Sequence, residues 1–162
     1  MIEVTITDEM IQNAKRLADD LGVLNHSIRN GSGNLAGFLG EECVLSHFKE
    51  AVRDNTYQHD ILLKGSRIEV KTKDRTVPPK IDYECSIPYS LYQQAANFYF
   101  FVSLLRKNET YVKGYLVGYM SKPEFFKKAT LFRKGEVDPS NNFTVKADCW
   151  NLKIKDLHQF KT

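Results

Sequence analysis

A chain of 162 residues, 42% hydrophobic and 27% charged, fits one globular domain with its own core and leaves little length for a second. The longest apolar run, Phe98 to Leu105 broken only by Ser103, is too short to span a bilayer, which excludes a transmembrane helix there. Cys43, Cys85 and Cys149 are odd in number, far apart and without a C-x-x-C pair, so neither a thiolate zinc site nor a redox dithiol is suggested. The opening MIEVTITDEM carries acidic residues and no apolar signal-peptide core, and a cytoplasmic protein is expected. A net charge of +3 permits a polyanionic partner without demonstrating one.

Residues 8 to 21 are expected to be helical. Thr7 caps the start, Asp8 and Glu9 suit the first turn, and Gly22 supplies a stop. Ile11, Ala14, Leu17, Ala18 and Leu21 recur at helical spacing and predict a buried stripe. Asn25 to Asn34, with Arg29, Gly31 and Gly33, reads as a flexible loop. A second helix follows from about Leu35 to Glu50, with Leu35, Phe38, Leu39, Leu45 and Phe48 inward. Glu41 and Glu42 both fall close to that inward face. A carboxylate there must be paired, metal-bound or at a wet margin.

Residues 57 to 73, YQHDILLKGSRIEVKTK, predict a β-hairpin turning at Gly65-Ser66, with Leu62 opposite Glu69 and Asp60 opposite Lys71. Ile61, Leu63, Ile68 and Val70 then face the core, and Asp60, Leu62, Glu69 and Lys71 face the other side. Val77-Pro78-Pro79 breaks the chain. A short helix over Ser90 to Ala96 is expected to carry Gln93 and Gln94. Strands follow over Asn97–Leu105 and Tyr111–Met120, then a short helix over Lys122–Ala129 and small strands at Phe143–Lys146 and Trp150–Ile154.

The hairpin carries the chemistry. Clustered carboxylates bind Mg²⁺ or Mn²⁺ through hard oxygens, and the bound ion polarises a phosphate and acidifies water. A neighbouring Lys can orient the attacking water and balance charge developing on phosphorus. Glu69-x-Lys71 puts both side chains on one strand face, and Asp60 joins them from the facing strand. A salt-bridged surface ladder would explain the E-x-K pair alone. Lys64, Arg67, Lys71, Lys73, Arg75 and Lys80 form a basic strip beside these acids, and Lys73 shares the parity of Lys71, which makes it a candidate phosphate contact.

The segments GFLGEECVLSHF, HDILLKGSRIEVKTK and YQQAANFYFFVSLL resemble the PD-(D/E)XK nuclease superfamily, the fold of many restriction endonucleases and junction resolvases, and especially its small phage-like members. The resemblance spans about residues 35 to 120. It implies an α/β, restriction-endonuclease-like core, a central mixed β-sheet flanked by helices, with residues 1–162 forming one nuclease-like domain. It implies Glu41 as the helical acid, with Glu42 its rival one position on. Asp60 would be the conserved Asp, Glu69 and Lys71 the E-x-K pair, and Val70 the donor of a backbone carbonyl to the metal. Gln94, or next Gln93, would be the supporting polar residue. His59 stands where such families often have proline.

The implied activity is Mg²⁺-dependent hydrolysis of DNA phosphodiesters, with Mn²⁺ able to substitute, and the implied enzyme is an endonuclease in which a homodimer is plausible. RNA is not excluded as substrate. A nucleic-acid-binding or assembly protein that keeps the fold, or a junction-specific nuclease, are the alternatives. His26, His47, His59 and His158 have no zinc-ligand spacing.

Overall fold

The computed structural model describes residues 1–21 and 33–162. Strand β1 (Ile2–Thr5) leads into helix α1 (Asp8–Leu21), where Thr7 Oγ1 accepts from the Met10 N–H at 3.2 Å and caps the first turn as its sequence predicts. Met10 and Ala14 carry the burial of α1, whereas Leu21 in its last turn stays exposed. Gly22, the Arg29–Gly31 stretch of the expected loop and His26 lie outside the described residues. Helix α2 (Gly33–His47) starts two residues before the expected Leu35.

The remaining elements are β2 (Val52–Arg53), β3 (Ile61–Leu63), β4 (Ser66–Arg75), β5 (Glu84–Pro88), β6 (Phe98–Lys107), β7 (Thr110–Ser121), α3 (Lys122–Lys128), β8 (Thr130–Phe132), β9 (Val137–Asp138), β10 (Phe143–Thr144) and β11 (Cys149–Lys153). Six of the strands form a mixed sheet in the order β1-β7-β6-β4-β3-β2, in which only β4 and β6 run parallel. Helices α1 and α2 cover one face of it, so the architecture is α/β. No helix of the described residues is long and apolar enough to cross a membrane.

Alternation along β6 feeds two cores. Phe100, Val102 and Leu104 pack with Ile61, Ile68, Val70 and the helices, while Tyr99, Phe101 and Leu105 point the other way. There they meet α3 through Phe125 and a second, three-stranded sheet, β5-β11-β8, through Cys85, Ile87 and Leu152. A strand buried on both faces reads as an unbroken apolar run, which is why 98–105 is so apolar. Gly40 lets α2 settle on β4, because a Cβ there would lie 1.9 Å from Thr72 Oγ1.

Two expectations need correction. The hairpin turns at Lys64-Gly65, both at positive φ (50° and 81°), the twist that two-residue hairpin loops favour. Leu62 therefore pairs with Arg67 and Ile61 with Ile68, and Asp60, just before the strand, donates its N–H to Ile68 O instead of standing opposite Lys71. The slip is two residues, so each side chain keeps its expected face. The expected helix over Ser90–Ala96 is only a 3-10 turn at Tyr89–Leu91. So short a helix has little stability of its own, and here the backbone is pinned to the β2–β3 loop, with the Ala95 N–H donating to Gln58 Oε1 at 2.6 Å.

Candidate active site at the end of the hairpin

Strand β3 stops at Ile61, but β4 continues to Arg75. Among the described residues no strand pairs with β4 on that side beyond Ile68. The chain arrives at this vacated edge from the loop after β2, and Asp60 is its last residue before β3. The Asp60 N–H donates to Ile68 O at 2.9 Å, and its Oδ2 accepts from the Val70 N–H at 2.8 Å. The Asp60 carboxylate thus takes the backbone donor that a longer β3 would have used.

Glu69 leaves β4 beside it, only 6% exposed, and its Oε1 accepts from Lys71 Nζ at 2.6 Å. Lys71 reaches that oxygen because residues two apart on a strand share a face. Glu41 comes from α2, packed against the opposite face of the sheet, and is 5% exposed. Arg53, at the end of β2, donates through Nε to Glu41 Oε2 at 3.0 Å and through Nη1 to Glu42 Oε1 at 2.8 Å. With its amide nitrogen turned inward, Asn55 donates to Glu41 Oε2 and to Asp60 O, both at 3.2 Å.

The electrostatics follow from this packing. Burial raises Glu41 from 4.5 to about 7, with the Glu69 charge adding to it against the pull of Arg53 and Asn55. Burial also raises Asp60 from 3.8 to about 8, and the charges of Glu69 and Glu41 push it further, while the Val70 N–H and Lys71 oppose them. The two carboxylates whose charges raise Asp60 are Glu69 and Glu41, and Glu42 is not among them. Glu42 serves as the second arm of the Arg53 fork.

Even so, the acids do not share one coordination sphere. Among the described residues no three His, Cys, Asp or Glu side chains are gathered as a metal-holding group. Each acid has its own partner instead: Arg53 for Glu41, the Val70 N–H for Asp60, and Lys71 for Glu69. One oxygen is left over. Glu69 Oε2 is buried and has no hydrogen-bond partner.

The remaining candidates fall further out. Lys73 lies on the Lys71 side of β4 as expected, but against the second sheet, in a small cavity lined with Arg75, Cys85 and Ser86. Burial lowers its pKa. Arg75 is already engaged by Ser103 Oγ at 3.0 Å and Glu84 O at 3.1 Å. Gln94 is buried and donates to Tyr57 O at 2.5 Å, so it braces the β2–β3 loop and touches none of the acids. Gln93 donates to the Tyr92 hydroxyl at the surface. His59 precedes the strand and pairs through Nε2 with Asp54 Oδ2 at 3.0 Å.

Arg53 and Asn55 were not legible in the sequence, because β2 has only two residues and no periodicity announces it. No protein-family model matches this chain, and no curated protein matches it.

Proposed function

We propose that this protein is a metal-dependent nuclease of the PD-(D/E)XK kind, with a restriction-endonuclease-like core, hydrolysing DNA phosphodiesters by internal cleavage. One observation carries the reading. Two buried carboxylates, Glu41 and Glu69, and the half-buried Asp60 come from three separate elements and repel one another at the end of the E-x-K hairpin, beside Lys71. Acids kept close enough to raise one another's pKa, against desolvation and repulsion, are a feature of cation sites, and such perturbed groups gather at functional sites.

The residues suit Mg²⁺ or Mn²⁺. All the candidate donors are hard oxygens, and Glu69 Oε2 is a buried carboxylate oxygen without a partner. Asp60, Glu69 and the Val70 carbonyl would hold the ion, and Glu41 would join by releasing Arg53. When bound, the ion supplies Lewis acidity at the phosphate and a more acidic water. Lys71 holds its ammonium against Glu69 Oε1, where it can orient the attacking water and offset negative charge growing on the phosphate. Asn55 and Arg53 steady the Glu41 carboxylate.

A second reading is a nucleic-acid-binding protein that keeps the fold without cleaving. Its support is that every acid already has an internal partner. A panel of supercoiled, linear, branched and single-stranded DNA, with RNA alongside, incubated with Mg²⁺ separates the two. Cleavage lost in Asp60→Ala, Glu69→Ala and Lys71→Ala supports the nuclease. Binding without cleavage on every substrate supports the alternative.

A further inference from the structure

Tyr99 is wholly buried, yet it carries a hydroxyl with no hydrogen-bond partner. Packing does not explain that oxygen. The ring is held by Phe101, Phe125 and Phe126, at centroid distances of 6.3, 5.6 and 6.0 Å, and a phenylalanine would fill the same space. Buried polar atoms are nearly always satisfied, and leaving one unpaired is costly.

A second unpaired atom lies one strand away. Tyr99 is the register partner of Glu69 in the parallel pair β4–β6, so both side chains leave the sheet on the same face. With Oε1 of Glu69 taken by Lys71, Oε2 is a buried acceptor without a donor, on the same sheet face as a buried donor without an acceptor. The charge of Glu69 reaches the phenol, since after burial it is the next influence raising the Tyr99 pKa. No direct hydrogen bond joins the two atoms, and an ordered water can bridge such a pair at little cost.

We propose that Tyr99 is the positioning residue of Glu69: its O–H donates through one ordered water to Glu69 Oε2 and fixes the orientation of that carboxylate. Lys71 then holds one oxygen and Tyr99 the other, and the remaining lone pair of Oε2 faces the cation. The inference rests on the nuclease reading for its purpose, and on the two unpaired atoms for its geometry. Outer partners of this kind set how well a carboxylate binds metal.

The test is Tyr99→Phe, Glu69→Met and the double variant, each measured in two ways. Mn²⁺ affinity is measured by calorimetry, and the midpoint of urea unfolding is measured in EDTA. Tyr99→Phe is expected to raise the Mn²⁺ Kd by about tenfold. It should also shift the midpoint when Glu69 is present, but not in the Glu69→Met background. Unchanged Mn²⁺ affinity in Tyr99→Phe, or the same midpoint shift in both backgrounds, overturns the proposal. If the unsubstituted protein binds no Mn²⁺, the nuclease reading is what fails. The EDTA midpoints then decide the pairing alone, with unequal shifts supporting it and equal shifts overturning it.

Discussion

Replacing Asp60 with Asn should make the metal-free protein more stable at pH 8, although it removes a member of the site. Burial, then Glu69 and Glu41, raise this carboxyl from 3.8 to about 8. Between those values the folded state binds more proton than the unfolded chain, so stability falls as pH rises through that window. Each tenfold change in proton affinity is worth about 1.4 kcal/mol, which sets a ceiling of roughly 5 kcal/mol for the loss. Asparagine keeps an oxygen for the Val70 N–H, and the charge assistance of that bond is already contained in the raised value. Relaxation around a buried charge takes a share of that ceiling, and a net gain of about 2 kcal/mol is expected. For a domain of this size that raises the melting midpoint by about 4–8 °C. Thermal unfolding in EDTA at pH 5 and pH 8 reads it directly, with little gain expected at pH 5. A variant no more stable than the parent at pH 8 would refute the claim that Asp60 is held in the site against repulsion.

Gly40→Ala drives a Cβ into Thr72 Oγ1, and should cost about 3 kcal/mol by urea unfolding, with part recovered when Thr72 is also changed to Ala. Arg53→Gln leaves Glu41 and Glu42 without their shared cation. The metal-free protein should lose about 3 kcal/mol, and Mg²⁺ should raise its melting midpoint by more than it raises that of the parent. Gln94→Ala removes the brace on Tyr57 O, so amide exchange across residues 54–60 should quicken while global stability falls by about 1 kcal/mol.

Much of this architecture could be read from periodicity. Helix α1 shows its bounds and its Thr7 cap, though of the expected stripe only Ala14 is buried and Leu21 is exposed, and β6 and β7 show apolar runs at strand length. The faces of Ile68, Glu69, Val70 and Lys71 follow from alternation alone. What escaped was set by partners far away in sequence. The hairpin register depended on whether Gly65 takes the first or the second turn position, and positive φ at Lys64 gives no sequence signal of its own. The 90–96 stretch looks helical in composition, yet Gln94 and Ala95 spend their hydrogen bonds on residues 57 and 58. Lys73 reads as a surface cation until β5 and β11 are known to fold over it. Glu41 and Glu42 sit next to each other on α2 and share Arg53, and only the influence on Asp60 distinguishes them. The Tyr99 hydroxyl is invisible to pattern altogether, because a strand core reads tyrosine as another large apolar residue.

The proposal most open to test is that Asp60 and Glu69 hold a cation, with Glu41 joining once it releases Arg53. Anomalous diffraction at the manganese edge, from crystals grown with Mn²⁺, tests it most directly. The account predicts a peak between Asp60 and Glu69, near the Val70 carbonyl, with Lys71 alongside. Anomalous density absent there at saturating Mn²⁺, with Asp60 still on the Val70 N–H and Glu41 still on Arg53, would contradict it.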